Sequence, residues 1–340
     1  MSISQDKEVV SAPATRETLL NIDNLSVEYL SGRGSVRAVD GVSLSIARGE
    51  VLGLAGESGS GKSTIAQAIM RILQPPAIIT GGRVMFGDED VLQMSERELR
   101  DFRWDKVSMV FQSAMNSLNP VMTIGDQIKD AIVVHQRVSD QKADERAREM
   151  LRIVGIEPER IDSYPHQLSG GMRQRAVIAI ALVLQPPLMI MDEPTTALDV
   201  VVQREILAKI SDLREQFGFS ILFITHDMSL LVEIADRIAI MYAGEIVEMA
   251  PSRELFDSPL HPYTQGLMAS FPALTGPRRE LQGIPGSPPD LISPPSGCRF
   301  HPRCPKRMDI CDKVHPKLVE YTPGHLVACH LYPQPEGAVS

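Results

Sequence analysis

The glycine-rich stretch from Gly56 to Ser63, with the sequence GESGSGKS, constrains this chain more than any other part of its sequence. An apolar run at 50–55 precedes it and isoleucines at helical spacing follow it, which together predict a strand, a loop and a helix. Glycines let consecutive backbone N–H groups turn inward around phosphates, and the helix N-terminus adds partial positive charge. The stretch is therefore predicted to bind the phosphates of a nucleotide.

The predicted nucleotide contacts lie in this loop, at the start of its helix and on an earlier strand. In loops of this type the lysine, Lys62, reaches the β- and γ-phosphates, and the hydroxyl of Ser63 binds Mg²⁺. Tyr29 ends a predicted strand and would either stack its ring on adenine or be an ordinary half-buried tyrosine at a sheet edge. The full set of predicted contacts is Tyr29, Gly56, Ser58, Gly59, Gly61, Lys62, Ser63 and Thr64.

Polar side chains end three further predicted strands. Gln112 follows the strand at 107–111, Asp192 and Glu193 follow the strand at 188–191, and His226 follows the strand at 220–225. Each alone would be an ordinary turn or surface residue, but parallel strands behind a phosphate loop bring their carboxyl ends to one edge of a sheet. Gln112 and Asp192 are predicted to hold Mg²⁺ together with the phosphate-loop serine. Glu193, His226 and Gln112 are predicted to orient and polarise the attacking water.

A second helix start also has the chemistry of an anion site. Ser169, Gly170 and Gly171 open the apolar helix 176–184, so backbone N–H groups and a hydroxyl are free to meet a phosphate, and Gln174 lies one turn further on. One nucleotide bound by one subunit does not explain two such helix starts.

Composition narrows the classes of function. The chain has 340 residues and a net charge of −9, which argues against a nucleic-acid partner because such partners require a basic face. No apolar run approaches the roughly 18 residues of a membrane span, and residues 1–18 resemble a disordered tail rather than a secretory signal. A soluble, cytoplasmic protein is expected.

These motifs, in this order, resemble the nucleotide-binding subunits of ABC transporters over about residues 19–250. The resemblance implies that two such domains dimerise head to tail, with each ATP between the Lys62 loop of one subunit and the Ser169 signature of the other. It also implies that the loop from Gln112 to Ile124 faces a membrane partner. No position of these motifs departs from the family pattern, so a non-hydrolysing regulatory module is disfavoured. A soluble ABC protein acting on DNA or the ribosome is disfavoured by the single set of motifs and the acidic charge.

The segments 258–264 and 297–305 resemble the C-terminal extension of oligopeptide and dipeptide importer ATPases, and the motifs are closest to their D-type subunit. This resemblance implies a heterodimer with a second ABC ATPase, two transmembrane permeases and an extracytoplasmic solute-binding protein. The chain would then lie at the cytoplasmic face of the inner membrane. Importers of nickel, opines and some oligosaccharides carry the same extension, so these substrates stay open.

The four cysteines all lie in this extension, at Cys298, Cys304, Cys311 and Cys329. Zinc sites usually contain tight cysteine pairs, which are missing here, whereas irregularly spaced thiolates can hold a [4Fe–4S] cluster. The related importers carry this cysteine set, for which a cluster is implied. A structural or sensing [4Fe–4S] cluster is expected, with zinc or reduced thiols as alternatives.

The expected fold is α/β, a P-loop ABC ATPase domain at 19–250 with a mostly parallel, helix-flanked sheet. An antiparallel β layer at 19–50 lies beside it, and a helical subdomain is inserted at roughly 96–185. A C-terminal extension with the cysteine site occupies 251–340.

Overall fold

The structure is a computed structural model, and it describes residues 17–112, 117–196, 198–270 and 283–333. The predicted disordered tail lies outside the described residues, except for its last two positions. The described strands are β1 (Thr18–Ser31), β2 (Gly34–Ala47), β3 (Val51–Ala55), β4 (Ala77–Phe86), β5 (Glu89–Asp90), β6 (Val107–Val110), β7 (Leu188–Asp192), β8 (Ser220–Ile224), β9 (Arg237–Tyr242), β10 (Glu245–Pro251), β11 (Val319–Thr322) and β12 (His325–Val327). The described α-helices are α1 (Lys62–Ile69), α2 (Glu96–Phe102), α3 (Ile124–His135), α4 (Asp140–Ile153), α5 (Gly170–Leu182), α6 (Val200–Phe217), α7 (Met228–Ile234), α8 (Ser252–Asp257) and α9 (Pro262–Ala269).

The main sheet has the strand order β11-β12-β10-β9-β3-β8-β7-β6. Its five strands from β9 to β6 are parallel, as predicted, and β10, β12 and β11 are added antiparallel at one side. Every residue of β3, β6, β7 and β8 is buried, which is why these strands read as continuous apolar runs in the sequence. The polar residues at their carboxyl ends consequently meet at one edge.

Side chains of the parallel strands alternate between two hydrophobic cores, one on each face of the sheet. Leu52 and Leu54 of β3 belong to the core beneath the antiparallel layer, whereas Val51 and Ala55 belong to the core beneath helices α3 to α6. This alternation is the period of two that a strand imposes. Each fully buried leucine contributes about 1.5–3 kcal/mol, so the two leucines hold the strand firmly against the core beneath the antiparallel layer.

The antiparallel layer is larger than the sequence predicted. Strands β1 and β2 pair as expected, but β1 also pairs with β4, and β4 pairs with β5, so the layer has the order β2-β1-β4-β5. Helix α2 follows this layer, with a capping box at Ser95 and Glu98 and with Leu99 and Phe102 packed into the same core. Strands β4 and β5 therefore complete the layer, and α2, at the start of the range predicted for the helical subdomain, packs against this layer instead.

The helical subdomain consists of α3, α4 and α5 among the described residues. Thr123, Ser139 and Ser169 cap these helices, each side chain accepting a hydrogen bond from the helix backbone. Their apolar faces share one core with the adjacent face of the main sheet. None of the described helices is both long and apolar enough to span a bilayer.

Candidate active site

The loop between β3 and α1 adopts a conformation that requires glycine at two positions. Gly56 has φ +151° and Gly61 has φ +107°. A Cβ atom at Gly56 would lie 2.0 Å from the carbonyl oxygen of Met241, and one at Gly61 would lie 2.1 Å from the carbonyl oxygen of Ala38. The sequence motif thus reflects a backbone that packs against its neighbours without room for a side chain.

The N-terminus of α1 is open toward this loop. Its N-cap residue, Gly61, supplies no side-chain hydrogen bond, so the first N–H groups of the helix are available to an anion. The Nζ atom of Lys62 donates to the carbonyl oxygens of Gly56 and Glu57, at 2.8 Å each, and to the Ser60 hydroxyl at 3.3 Å. Burial lowers the pKa of Lys62, and the carboxylates of Glu193 and Asp192 oppose this shift. A phosphate entering the loop would replace the carbonyl oxygens as the partner of this lysine.

The predicted magnesium ligands Ser63 and Asp192 are brought together. The Ser63 hydroxyl donates to Asp192 Oδ1 at 3.1 Å. Burial raises the pKa of Asp192, while the hydrogen bond from Ser63 lowers it. A hydroxyl and a largely buried carboxylate at this spacing form an oxygen donor set that suits Mg²⁺.

Glu193 lies at the centre of the other strand-end residues. Gln112 Nε2 donates to Glu193 Oε2 at 2.9 Å, and His226 Nδ1 lies 3.3 Å from Glu193 Oε1. Glu193 itself has φ +47°, a left-handed conformation that costs free energy in a non-glycine residue and is concentrated at functional sites. The structure therefore gathers all three side chains that the sequence predicted for orienting water.

Thr196 belongs to this group, although it is not among the site residues that the sequence predicts. Its hydroxyl donates to Glu193 Oε2 at 3.1 Å, the same oxygen that accepts from Gln112. Two donors on one oxygen leave Oε1, beside His226, as the less engaged acceptor. The sequence signal for Thr196 is its position three residues after Glu193, because a turn of this length brings the threonine hydroxyl back toward the glutamate.

Tyr29 and Thr64 lie beside one another next to the loop. The hydroxyl groups of the two residues are 3.3 Å apart, and the tyrosine side chain is half-buried. This contact places the tyrosine hydroxyl against the first turn of α1. The position agrees with either of the two interpretations given for Tyr29. Ser58 and Gly59 continue the same loop, and Gly59 has open space around its Cα.

The Ser169 signature forms a separate feature of the chain. The Ser169 hydroxyl accepts from the Met172 N–H at 3.3 Å, and Gly170 and Gly171 form the first turn of α5. The side chain of Gln174 is buried, and its Nε2 atom has no hydrogen-bond partner among the described residues. Within the described part of the chain, no hydrogen bond or ion pair connects this signature to the loop at 56–64.

The four cysteines are thiols in the C-terminal region, with Cys311 and Cys329 buried. The Cys298 N–H donates to the Cys311 carbonyl oxygen at 2.8 Å. Burial, together with the nearby Cys329, Cys311 and Cys304, raises the pKa of Cys298 to about 12, which indicates that the four residues lie close together. However, within residues 17–112, 117–196, 198–270 and 283–333, no three cysteine, histidine or acidic side chains are arranged to hold a metal ion. The expected cluster is therefore not supported by this geometry.

Comparison with protein families gives two matches along the chain. Residues 39–196 match the family described as ABC transporter, and residues 247–311 match the oligopeptide/dipeptide transporter C-terminal region. The first match contains the loop at 56–64 and the strand-end residues Gln112 and Glu193.

Full-length relatives and solved structures agree with these matches. The chain is 44% identical to the dipeptide transport ATP-binding protein DppD of Bacillus subtilis, over 94% of this chain and 96% of that protein. It is 42% identical to the oligopeptide transport ATP-binding protein OppD of Escherichia coli, over 97% of this chain and 98% of that protein. A dimeric post-hydrolysis structure of the ATP-binding cassette MJ0796 with ADP and Pi is 30% identical with a TM-score of 0.62, over 69% of this chain and 99% of that chain.

Proposed function

The chain belongs to the ATP-binding subunits of ABC transporters that carry the oligopeptide/dipeptide C-terminal region, and from this premise we propose that it hydrolyses ATP to drive peptide import through a membrane complex. The observation that carries the proposal is the position of Glu193. Its carboxylate lies between Gln112 and His226 and adjoins the Ser63–Asp192 pair beside the phosphate-binding loop.

We assign the steps of hydrolysis to these side chains. The backbone of Gly56, Ser58, Gly59 and Gly61 surrounds the phosphates, and Lys62 leaves its carbonyl partners to neutralise the γ-phosphate. Ser63, Asp192 and Gln112 would hold Mg²⁺, which would supply positive charge for the phosphate oxygens. Glu193 accepts a hydrogen bond from the attacking water at Oε1, and its backbone strain and two donors at Oε2 fix that orientation.

His226 is assigned to the same water. Its ring nitrogen adjoins Glu193 Oε1, so the imidazole is placed to bridge the carboxylate, the water and the γ-phosphate. Gln112 links this group to the following loop, so loss of the γ-phosphate would change the restraint on that loop. Tyr29 is assigned to the adenine, and Thr64 holds its hydroxyl.

We further propose that the Ser169 signature completes the ATP site of a second ABC subunit. Among the described residues, the Ser169 cap engages only the Met172 N–H, so the N–H groups of Gly170 and Gly171 stay available to a phosphate. Gln174 Nε2 has no hydrogen-bond partner among those residues, and both observations support this assignment. The resemblance to D-type subunits favours a heterodimer with a related but different ATPase.

The permease contact is assigned to the segment after β6. Phe111 and Val121 are exposed apolar residues on either side of 113–116, which lie outside the described residues. Two exposed apolar side chains flanking the loop after Gln112 are an expected docking feature for a membrane subunit. The protein would then be peripheral at the cytoplasmic face of the membrane, with two permeases and an extracytoplasmic solute-binding protein as partners.

The peptide substrate is proposed from the named relatives, with oligosaccharides, nickel and opines as alternatives. Purification from native membranes under mild conditions, followed by mass spectrometry, tests partners and substrate together. Two permeases, a second ATPase and a peptide-loaded binding protein would support the proposal. A different solute would change only the substrate, and recovery with ribosomes or DNA alone would contradict it.

We retain the iron–sulfur assignment of Cys298, Cys304, Cys311 and Cys329 as a proposal, with zinc as the alternative. The proximity of the four thiols supports this assignment. The arrangement of their side chains does not support it, because no group of three ligands among the described residues could hold a metal ion. Iron, sulfide and zinc analysis of anaerobically purified protein decides between the groups. Iron below about 0.4 mol and zinc below about 0.1 mol per chain, each about a tenth of stoichiometric loading, would leave reduced structural thiols.

Glu193→Gln tests the proposed catalytic assignment. The variant keeps a side chain of the same shape but loses the charged acceptor, so we expect hydrolysis by the assembled transporter to fall by about 10²-fold or more while ATP binding persists. Glu205→Gln is the matched control, because Glu205 pairs with Arg175 on the exposed side of α6. Unchanged turnover in Glu193→Gln would contradict the role given to this residue.

A further inference from the structure

Arg303, in the C-terminal region, forms an ion pair with the phosphate-binding loop. Its Nη1 lies 2.7 Å from Glu57 Oε2 and its Nη2 lies 2.9 Å from Glu57 Oε1, so the pair is bidentate. The two residues are 246 positions apart in the sequence. The Arg303 side chain is only 6% exposed, which reduces the competition from water that weakens surface ion pairs.

The remaining surroundings of Arg303 fix the direction of its guanidinium group. Its Nε donates to the Pro285 carbonyl oxygen at 2.8 Å, and its Cζ lies 5.8 Å from the centre of the Tyr242 ring. Nη1 also reaches the Tyr242 hydroxyl at 3.4 Å. These contacts hold the planar guanidinium group of Arg303 in one orientation, and the group in turn fixes the orientation of the Glu57 carboxylate. A lysine at this position has a single ammonium group and could not bind both carboxylate oxygens in this fixed geometry.

A second residue of the C-terminal region holds the backbone at the same point. The Glu57 N–H donates to the Tyr263 hydroxyl at 2.9 Å. The Tyr263 ring is fully buried, 4.6 Å from the Tyr242 ring and 5.4 Å from the Phe300 ring, between centroids. Both the side chain and the backbone N–H of Glu57 are thus bound by residues that follow the ATPase motifs in the chain.

The residue that is held in this way also determines where Lys62 rests. The Glu57 carbonyl oxygen accepts from Lys62 Nζ at 2.8 Å and from the Ser60 N–H at 3.2 Å. A shift of Glu57 would therefore move the groups that surround the phosphates. Loop geometry of this kind affects nucleotide affinity directly, because only the competent conformation binds.

A parallel connection reaches the loop from Arg299. Arg299 forms ion pairs with Asp40 and with Glu245, the latter at 2.9 Å. It also donates to the Ala243 carbonyl oxygen, and the adjacent Gly244 N–H donates to Ser60 O at 3.0 Å. Arg299 follows Cys298 directly, just as Arg303 precedes Cys304, so the cysteine segment is anchored to the loop at two points.

We infer that the C-terminal region positions the phosphate-binding loop through Glu57, with Arg303 and Tyr263 as positioning residues that set the affinity for ATP. The inference rests on the proposed role of the loop in binding ATP. It assigns to the extension a direct effect on the ATPase site, and it predicts that changes in the cysteine segment alter nucleotide affinity.

Arg303→Met tests this inference in the full-length chain and in the assembled transporter. We take the case in which loss of the ion pair leaves the loop in its nucleotide-binding conformation about a tenth of the time. The dissociation constant of a fluorescent ATP analogue and the KM for ATP then rise about tenfold, whereas kcat changes less than about twofold. Arg303→Lys keeps the charge but loses the bidentate geometry, and it should show an intermediate increase. Arg307→Met is the matched control, because Arg307 pairs only with Asp312 inside the extension among the described residues.

Glu57→Gln completes a double-mutant cycle with Arg303→Met. If Arg303 acts through Glu57, Arg303→Met adds less than about a twofold further change in the Glu57→Gln background. Full additivity, an equal effect of Arg307→Met, or a fall in kcat at unchanged KM would overturn the inference. Failure of the unaltered chain to bind the analogue would instead overturn the proposed function, so the two failures are distinguishable.

Discussion

Substitution of Glu248 in β10 most directly tests how the hairpin of β11 and β12 is attached to the main sheet. It is fully buried and accepts three hydrogen bonds. Two come from the backbone N–H groups of Leu260 and His261, at 2.7 and 2.9 Å, and one comes from His325 Nε2 on β12, at 2.7 Å. His325 Nδ1 also lies 3.1 Å from Glu254 of α8. Glu248→Gln would keep the shape of the side chain and remove its charge.

The magnitude follows from the buried ion pair. Removing one partner of such a pair costs about 3–5 kcal/mol, and glutamine retains one acceptor, so a loss of about 3 kcal/mol is expected. Burial lowers the pKa of His325, but hydrogen bonds with Glu248 and Glu254 raise it by more, so the pKa lies above its ordinary value. The contribution of the protonated histidine is thus complete below about pH 6.5 and is lost as the pH rises through the raised pKa.

Urea unfolding of the full-length chain at pH 6 and pH 9 measures both effects. We expect Glu248→Gln to lower the free energy of unfolding by about 3 kcal/mol at pH 6 and by clearly less at pH 9. Glu254→Gln is the control, because Glu254 is 38% exposed and its pair with His325 is worth at most about 1 kcal/mol. Equal losses at both pH values would refute the ion-pair reasoning, and a loss below about 1 kcal/mol would refute the burial argument.

Two further substitutions test local features of the ATPase site. Gly61→Ala should raise the dissociation constant for nucleotide in equilibrium titrations by more than about tenfold, because the new Cβ would overlap the Ala38 carbonyl oxygen. Gly32→Ala is the control and should leave binding unchanged, because a Cβ at Gly32 would lie in open space. Asp199→Ala should lower the free energy of unfolding, measured in urea, by about 1 kcal/mol, because Asp199 accepts hydrogen bonds from two N–H groups at the start of α6. Asp212→Ala, at an exposed position within the same helix, is the control and should not lower this free energy. Binding by Gly61→Ala as tight as the parent, or equal stability of the two aspartate variants, would contradict these arguments.

Much of the ATPase site was predictable because its parts are local patterns arranged by a simple sheet. The loop at 56–63 carries its own glycine signal, and three buried strands followed by polar residues, beside the strand that leads into the loop, specify a common edge. Glu193 therefore lies where the sequence placed it, beside Gln112 and His226. The roles of these side chains in hydrolysis remain predictions.

Contacts between distant segments were not predictable in this way. Nothing local in Arg303 or Tyr263 indicates Glu57 as a partner, since surface arginines and buried tyrosines are both common. The pairing of β12 with β10 was missed for the same reason, because its two matched residue pairs carry little pattern of their own. The cysteine spacing indicated a cluster, but spacing does not determine where the sulfur atoms point.

The ion pair between Glu57 and Arg303 also has a consequence for how the protein is made. Because 246 residues separate the partners, the ribosome completes the loop, the signature and the strand-end residues long before Arg303 leaves the exit tunnel. At 5–20 residues per second, the 246 residues between Glu57 and Arg303 take roughly 12 to 50 s to synthesise. A nascent or truncated chain that lacks Arg303 would carry every ATPase motif but not the support of Glu57, so tight nucleotide binding would begin only after Arg303 has emerged. ATP could then stabilise finished subunits in preference to incomplete ones.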